Sequence, residues 1–388
     1  MKIVHLTKDE KFIDGAFTLF DTAFPGQNTF VVLSPFSAPP IRFIQQAPVV
    51  AKIVKGQGAV AQILPHIESA DWVVLHGMNA TWAKLLEANV DLNRILYIVW
   101  GAEVYSNKLI YQRELYGPKT KQLKAALAWR DRLDFSKNVK GFVKKAIYGK
   151  KVDKEEEWKK NADALKKIRR VGIVLREEFE LYQELGILQD AAHYQRLAYY
   201  PIEYFTKNIN LELRPGSNIL IGNSSALSNN HLEVFDMLEL RSANDRIIVV
   251  PLSYGPPIAA AKITAAGKAK FGQQFQALTD FLPLDEYTRL LQSCGIVIMN
   301  HYRQQAIGNV LSAVFLGAKV YLHPNNTMLH FLLRIGCKVC DITQDFDRPD
   351  ALENLSSADI ATNRERLTSA LSAESLASSL RAGLESKS

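Results

Sequence analysis

Apolar and polar positions in the first half of the chain follow two alternating patterns. Short apolar runs typical of strands, such as NTFVVLS and DWVVLHG, are separated by stretches with apolar residues at helical spacing, such as FIDGAFTLFDTAF and ATWAKLLEANV. Strands that alternate with helices predict βαβ units and a parallel sheet. In such a sheet, ligands bind beyond the carboxyl ends of the strands.

The same alternation restarts after the polar connector TKNINLELRPGS, with strand-like runs such as NILIG, RIIVVP and GIVIMN. A chain of 388 residues also favours two domains over one. We therefore predict an α/β protein with two Rossmann-like domains facing a cleft. The predicted divisions are a first domain with a basic helical insertion, a second domain and a helical tail: 1–205 with the insertion at about 106–170, 206–348, and 349–388.

Composition favours a globular protein of the cytoplasm. Hydrophobic residues make up 47% of the chain and charged residues 22%, as in ordinary globular proteins. No apolar run approaches the roughly 18 residues of a membrane span. The start, MKIVHLTKDE, turns polar after Leu6, so we expect a first strand there rather than a signal peptide. Three cysteines do not form a disulfide framework.

The net charge of +7 arises from one segment, and the rest of the chain is close to neutral. Lys137–Arg170 contains thirteen Lys and Arg residues and five Asp and Glu residues, a net charge of +8. A nucleic-acid-binding protein spreads its charge over a broader face, so we expect no nucleic acid partner. The local cluster predicts one local acidic partner, an anionic membrane surface. The alternative interpretation is a solvated charged helix.

Three predicted strands of the second half end in polar residues. In YRQQAIGN (Tyr302–Asn309), Arg303 precedes a helix start, where free N–H groups and the helix dipole favour a phosphate. IGNSS (Ile221–Ser225) predicts a turn that receives a nucleotide diphosphate, or an ordinary strand-to-helix turn. In PLSYGPP, Tyr254 is a candidate to stack on a base, although a plain loop fits equally well. We expect the three ends to converge at one edge of the sheet.

Two strand ends of the first half carry candidate bases. His76 follows DWVVL, and Glu103 follows RILYIVWG. A glycosyl acceptor must lose its hydroxyl proton, and an imidazole or a carboxylate can take it. The alternative is that each is a loop residue with satisfied hydrogen bonds.

Two further strings suggest metal sites but are better explained otherwise. CKVC (Cys337–Cys340) is half of a zinc site, and no second pair exists, so buried cysteines are favoured. DFD (Asp345–Asp347) matches the Asp-x-Asp string of metal-dependent sugar transferases, but it lies in a polar stretch far from a nucleotide-domain strand end. We therefore predict no metal and no cofactor. No G-x-S-x-G hydrolase signature is present.

Taken in order, HGMN, WGAEVY, IGNSSALSNNH, VVPLSYG and YRQQAIGN resemble one family. It is that of the bacterial TDP-N-acetylfucosamine:lipid II N-acetylfucosaminyltransferases, which transfer 4-acetamido-4,6-dideoxygalactose in enterobacterial common antigen synthesis. The resemblance covers roughly Trp72–Leu322 and is strongest in the second half. It implies a GT-B-type, metal-independent hexosyltransferase, peripheral on the cytoplasmic face of the bacterial inner membrane.

The resemblance also implies roles for the residues singled out above. A TDP-sugar donor is expected on the second domain and a polyprenyl-diphosphate-linked acceptor on the first, with Glu103 as first choice for the base and His76 as second. In other two-domain transferases a glutamate of the donor-site helix commonly holds the ribose hydroxyls. In this chain Ser312 occupies the comparable position, or Asn309 takes its role. A deoxyribose needs fewer acceptors, which fits a thymidine donor. The expected donor-site residues are Asn223, Ser224, Ser225, Tyr254, Arg303, Gln304, Gln305, Gly308, Asn309 and Ser312.

Two other functions remain compatible with these patterns. A sugar-nucleotide epimerase of the same fold would act on a nucleotide sugar without a lipid acceptor. A non-enzymatic two-domain sugar-binding protein of the periplasmic type would also have two α/β domains, but the absence of a predicted signal peptide disfavours it.

Overall fold

The computed structural model describes residues 1–37, 39–133, 154–207, 214–241 and 246–386. The chain forms two compact units, each assembled from separate stretches of sequence. Unit 1 comprises Met1–Arg113, Lys150–Glu203 and Leu371–Ser388, and unit 2 comprises Glu114–Gly149 and Tyr204–Ala370.

Unit 1 is built on a parallel sheet of seven strands in the order β3-β2-β1-β4-β5-β6-β7. Its central strands are buried apolar runs, as expected when helices cover both faces of a parallel sheet. The strands are β1 (Ile3–Thr7), β2 (Asn28–Ser34), β3 (Val49–Val54), β4 (Trp72–His76), β5 (Ile95–Ile98), β6 (Arg170–Ile173) and β7 (His193–Arg196). The α-helices are α1 (Ile13–Ala23), α2 (Ala59–Ile67), α3 (Ala80–Leu85), α4 (Ala102–Tyr105), α6 (Lys154–Leu165), α7 (Arg176–Glu184), α8 (Ile202–Thr206, which runs across the unit boundary) and α15 (Ala373–Glu385).

Unit 2 is built on a second parallel sheet, with six strands in the order β10-β9-β8-β11-β12-β13. Its centre, β8 and β11, is again almost wholly buried. The strands are β8 (Asn218–Ile221), β9 (Ile248–Pro251), β10 (Phe275–Leu278), β11 (Cys294–Met299), β12 (Lys319–Leu322) and β13 (Cys340–Asp341). The α-helices are α5 (Pro118–Leu133), α9 (His231–Glu239), α10 (Pro257–Phe271), α11 (Leu284–Gln292), α12 (Ile307–Leu316), α13 (Thr327–Arg334) and α14 (Ser357–Leu371, which ends in unit 1).

The predicted α/β fold with two parallel sheets is confirmed, but two segments lie in units other than those expected. Helix α5, predicted as part of an insertion in the first domain, belongs to unit 2. The reason lies at its start, where Gly117 N donates to Asn230 Oδ1 and Thr120 donates from both its N–H and its hydroxyl to the Glu233 carboxylate. The predicted tail, although helical, is divided: 349–370 lies with unit 2 and 371–388 with unit 1.

Strand β7 was not predicted, because HYQR has no apolar run. Its polar side chains are used by the last helix instead: Gln195 donates to the Ser379 carbonyl and Arg196 to that of Ser375. The first half of the basic segment Lys137–Arg170 lies outside the described residues, which resume at Lys154. Within the described ranges, no helix is both long and apolar enough to cross a membrane.

Candidate functional site

The turn between β11 and α12 combines an uncapped helix start with an arginine. Ala306 occupies the N-cap position of α12 in a left-handed conformation, with φ of 58°, and supplies no side-chain cap. The first N–H groups of a helix have no partner inside it, and the helix dipole makes this end positive. Arg303 precedes it by three residues and is half-buried. Strain at a non-glycine residue persists where the surrounding structure enforces it, and such places are often binding sites.

Gln305 ties this turn to the loop that follows β8. Its Oε1 accepts from the Ser228 hydroxyl at 2.7 Å, and its Nε2 donates to Asn223 Oδ1 at 3.2 Å. Arg303 donates from an Nη to the carbonyl of Gln304 at 2.8 Å. The two loops, predicted separately from sequence, are therefore joined side chain to side chain.

Asn229, which was not among the predicted site residues, holds the same two loops from beneath. Its Nδ2 donates to Ser224 Oγ and to the Ala226 carbonyl, so its Oδ1 is left to accept from Asn223 N at 2.9 Å and from His301 Nε2 at 2.8 Å. Gly222, with φ of 69°, leaves room for this arrangement, because a Cβ there would lie 2.6 Å from Asn229 Oδ1. The asparagines of SNNH are visible in the sequence, but the sequence does not show whether they join two loops or cap a helix.

Asn230 occupies the N-cap position of α9, but its side chain makes no cap bond. It donates to the Asn300 carbonyl and accepts from Gly117 N instead. Its left-handed backbone, with φ of 51°, turns the side chain away from the helix.

Ser224 and Ser225 are both buried and bond within the protein. Ser225 donates from its N–H to the Tyr254 carbonyl at 2.7 Å and from its hydroxyl to the same oxygen at 3.1 Å. Ser224 Oγ accepts from Asn229 Nδ2. The loop after β8 and the loop after β9 thus meet, as the convergence of strand ends predicted. The ring of Tyr254 is 78% exposed and stands clear of these bonds.

The first two turns of α12 carry the remaining predicted donor-site residues. Gly308 lies against Phe205, since a Cβ there would come within 2.7 Å of the ring. Asn309 Nδ2 donates to the hydroxyl of Tyr287 at 3.2 Å, and Ser312 is half-buried one turn further along. Residues three and four apart share a helix face, so Gly308, Asn309 and Ser312 lie along one side.

Burial lowers the pKa of two histidines in this part of unit 2. The pKa of His301 is lowered to about 3, first by burial and then by the charges of Arg303 and His231. Burial likewise lowers the pKa of His231 to about 3. Both imidazoles are therefore neutral at physiological pH. Arg303 supplies positive charge to the turn without relying on a titrating histidine.

A cavity of about 390 Å³ lies beside the same strand ends. Tyr302 and His323, which follow β11 and β12, stack with ring centroids 3.8 Å apart and line it together with Asn300. Asn300 is buried, and its Oδ1 has no partner among the described residues. The cavity thus offers an aromatic wall next to the β11–α12 turn, and the unpartnered Asn300 oxygen lies buried behind it.

In unit 1, Glu103 lies in the short helix α4, which follows β5. Its Oε1 accepts from the Tyr97 hydroxyl at 2.6 Å and from Trp100 N at 2.9 Å. Burial raises the pKa of Glu103, and hydrogen bonds from Tyr97 and from the backbone, including Met78 after β4, oppose the rise. A carboxylate with a raised pKa is a stronger base, and these donors fix its orientation.

His76 is buried, and both of its ring nitrogens are bonded. Asn28 Nδ2 donates to the Phe24 carbonyl, so Asn28 Oδ1 must accept from His5 Nε2. His5 Nδ1 then accepts from His76 Nε2, at 3.0 Å, and His76 Nδ1 accepts from the Tyr199 hydroxyl at 2.9 Å. The pKa of His76 lies well below its usual value, through burial and then the charge of His5.

Sequence reasoning passed over Lys8, which directly follows β1 and is half-buried. Burial and then the charge of Lys55 lower its pKa, while the carboxylates of Glu10, Glu103 and Glu157 oppose the fall. Lys8 therefore lies in the electrostatic neighbourhood of Glu103. A lone lysine after a polar strand end carries no sequence signal that would have identified it.

The side chains of CKVC and DFD, the two strings that resemble metal sites, have other environments in the structure. Cys337 is buried, and burial raises the pKa of its thiol to about 12 and that of Cys340 to about 11. Asp345 pairs with Arg348, and Asp347 pairs with Arg241. Within the described residues, no three His, Cys, Asp or Glu side chains are grouped to hold a metal ion.

Comparison with known proteins adds a family match to this geometry. The sequence model of a family described as 4-alpha-L-fucosyltransferase, glycosyl transferase group 56, matches residues 166–349. The matched range contains the loops after β8, β9 and β11, together with the whole of α12. It does not include His76 or Glu103.

Solved structures of similar fold cover nearly the whole chain. A sucrose-phosphate synthase from Thermosynechococcus elongatus superposes with a TM-score of 0.61 at 8% identity, over 100% of both chains. A UDP-forming α,α-trehalose-phosphate synthase from Burkholderia xenovorans, in complex with glucose-6-phosphate, gives 0.59 at 10%, over 99% of this chain and 100% of its own. WaaG, a glycosyltransferase involved in lipopolysaccharide biosynthesis, gives 0.51 at 11%, over 99% and 95%.

The fold is GT-B. At these identities the structural likeness establishes the fold alone. The family match and the fold together support glycosyl transfer as the chemistry of this chain.

Proposed function

We propose that this protein transfers a deoxyamino sugar resembling N-acetylfucosamine from a TDP-sugar to a polyprenyl-diphosphate-linked saccharide. The observation that carries the proposal is the uncapped start of α12 beside Arg303, within the range that the fucosyltransferase family matches. The reaction would belong to bacterial surface polysaccharide synthesis of the enterobacterial common antigen type. The enzyme would work as a peripheral protein at the cytoplasmic face of the inner membrane.

In this proposal the donor diphosphate lies at the start of α12. Cleavage of the bond between the anomeric carbon and the phosphate oxygen leaves the electron pair on TDP, so negative charge grows there. Fixed N–H donors and an arginine aimed at that charge lower the barrier, and no metal ion is required for that role. Gln305, bonded to Ser228 and Asn223, holds the turn in place. Tyr254 is the candidate to stack on thymine, and Asn309 and Ser312 to contact the deoxyribose.

The acceptor lies on unit 1 in this proposal. As the acceptor oxygen forms its bond to the anomeric carbon, its hydroxyl proton passes to the carboxylate of Glu103. The raised pKa of Glu103 suits that task. The geometry favours Glu103 over His76, because both nitrogens of His76 are already bonded within the core. His76 then orients Tyr199, whose oxygen also accepts from Trp100 Nε1 at 2.6 Å in the turn that carries Glu103.

The experiment is transfer of radiolabelled sugar from TDP-N-acetylfucosamine into a lipid-extractable product, with bacterial membrane extract and with EDTA. The proposal predicts a labelled lipid that depends on both the extract and the protein. Release of an altered TDP-sugar without extract would instead establish an epimerase. Binding of the nucleotide sugar with no turnover in any condition would establish a non-enzymatic sugar-binding protein.

A further inference from the structure

One stretch of unit 1 contains no acidic residue. From Pro35 to Ile67 the chain has no Asp or Glu, whereas Arg42, Lys52 and Lys55 all fall within it. The stretch forms the loop after β2, the strand β3 and helix α2. Because β3 is the terminal strand of its sheet, its outer edge has no neighbouring strand within the described chain.

Between Phe36 and Lys55 this stretch exposes four large apolar side chains. Phe36 is 74% exposed, Val50 55%, Phe43 41% and Val54 39%. Val50 and Val54 lie on the same face of β3, because every second residue of a strand points the same way, and Lys52 lies between them. Large apolar side chains grouped on a surface mark an interaction site. We call this surface, from Phe36 to Lys55, the acid-free edge.

The loop that carries Arg42 and Phe43 is held in one conformation. Asp9 accepts from the backbone N–H groups of Arg42, Phe43 and Ile44 at 2.6, 2.9 and 3.1 Å. Asp14 does the same for the next three residues, Gln45, Gln46 and Ala47, at 2.9 to 3.1 Å. Six hydrogen bonds from the backbone thus hold the loop with Phe43 exposed. A loop that is already ordered loses less conformational entropy when it docks.

The two aspartates that bind this loop, Asp9 and Asp14, are outnumbered by the three cations of the edge, so the charge of the group stays positive. Arg42 places its guanidinium 5.1 Å from the centre of the Phe43 ring, and Lys52 donates to the Pro39 carbonyl. Arg42 thus lies beside an aromatic ring, and Lys52 is bonded to the loop backbone. Cations interleaved with aromatic and aliphatic side chains match an anionic bilayer: the cations meet the headgroups and the rings enter the interface.

We propose that the acid-free edge docks unit 1 onto an anionic lipid bilayer. The loop after β2 leaves the carboxyl end of its strand, and Glu103 follows the carboxyl end of β5 in the same parallel sheet. Docking there brings the headgroup region to the end of the sheet that carries the base. The inference adds a contact surface to the proposed function, separate from the basic segment Lys137–Arg170.

The test is co-sedimentation of the full chain with phosphatidylcholine vesicles, with and without phosphatidylglycerol. One variant combines Phe36→Ser with Phe43→Ser, and a second combines Lys52→Gln with Lys55→Gln. The matched control combines Leu240→Ser with Phe281→Ser, two highly exposed apolar residues of unit 2. Each test variant should lose about tenfold in affinity for anionic vesicles, and the control should bind as wild type.

Thermal melting of the same samples shows that the variants are folded, and calorimetry with TDP separates this inference from the proposed function. Lost vesicle binding with TDP affinity retained supports the acid-free edge. Vesicle binding unchanged in both test variants overturns it and leaves the proposed function standing. Wild-type self-association in sedimentation velocity that the Phe36/Phe43 variant abolishes also overturns it, because the surface would then join two copies of the chain. Absence of TDP binding in the wild type counts against the proposed function alone.

Discussion

Tyr97 and Glu103 are joined by a hydrogen bond of 2.6 Å, from the tyrosine hydroxyl to the carboxylate Oε1. Tyr97 lies within the buried strand β5, and Glu103 lies in the short helix α4 that follows it. The same oxygen also accepts from Trp100 N, so the carboxylate is turned back towards its own strand. The position of the proposed base is thus set by a short local turn anchored in the sheet.

Glu103→Gln should lower turnover by about 10²–10⁴ and leave TDP affinity nearly unchanged, because the substitution keeps the shape but removes the basicity. Transfer to a lipid-linked acceptor and calorimetry with TDP measure the two effects. Glu68→Gln, an exposed glutamate of the same unit, is the control and should behave as wild type. Near-normal transfer by Glu103→Gln would remove Glu103 from the reaction.

The same variant should change how stability depends on pH. Burial raises the pKa of Glu103, so between the unfolded and the folded pKa the folded chain holds a proton that the unfolded chain releases. The stability from the protonated form is complete below the unfolded pKa and is lost as pH rises through the folded pKa. Glu103→Gln should therefore melt higher than wild type at neutral pH, with the difference shrinking in acid. Thermal melts across pH measure it, and a difference that grows in acid would contradict the assignment.

His76→Gln should destabilise the fold without changing the chemistry of proton transfer. The substitution disturbs bonds to His5 and Tyr199 in a buried site, which costs about 1–3 kcal/mol. Urea denaturation measures the loss, and the pH dependence of transfer should keep its acidic limb. If that limb disappears in folded His76→Gln protein, His76 is the base.

Asn229→Ala and Tyr254→Ser should distinguish a residue that stabilises the site from one that contacts TDP. Asn229 bonds Asn223 N and His301 within the core, so its loss should lower the free energy of unfolding by about 1–3 kcal/mol. Tyr254 has an exposed ring, so Tyr254→Ser should leave stability unchanged and weaken TDP by about 1–3 kcal/mol if the ring stacks on thymine. Denaturation and calorimetry on both proteins decide, and unchanged TDP affinity in Tyr254→Ser would assign that residue to a plain loop.

The fold was predictable because the pattern of apolar residues along the chain follows from which positions are buried. GIVIMN and NILIG are buried on both faces, and the strands β11 and β8 lie where those runs predict. Strand β7 was missed because its burial comes from a helix almost 180 residues later in the chain, which binds the polar side chains of Gln195 and Arg196. No local window contains that information.

The candidate site was predictable only in part, for a related reason. Strand ends mark where ligands meet a parallel sheet, so YRQQAIGN and IGNSS were placed at one edge correctly. Which polar groups point outward depends on partners distant in sequence, such as Gln305 for Asn223 or Tyr254 for Ser225. For this reason the hydrogen bond between Asn229 and Ser224 could not be predicted from the sequence. The same holds for the bonds that join the start of α5 to Glu233.

The central claim is that Arg303 and the start of α12 hold the donor diphosphate. Calorimetry with TDP in EDTA tests it most directly, on wild type, Arg303→Ala and Arg246→Ala. Arg246 is also half-buried and bonds a backbone carbonyl, but it lies at the amino end of β9. We predict that TDP binds without metal, that Arg303→Ala loses about 1.5–3 kcal/mol of affinity, and that Arg246→Ala matches wild type. Wild-type affinity in Arg303→Ala, or binding only with magnesium or manganese, would contradict the account.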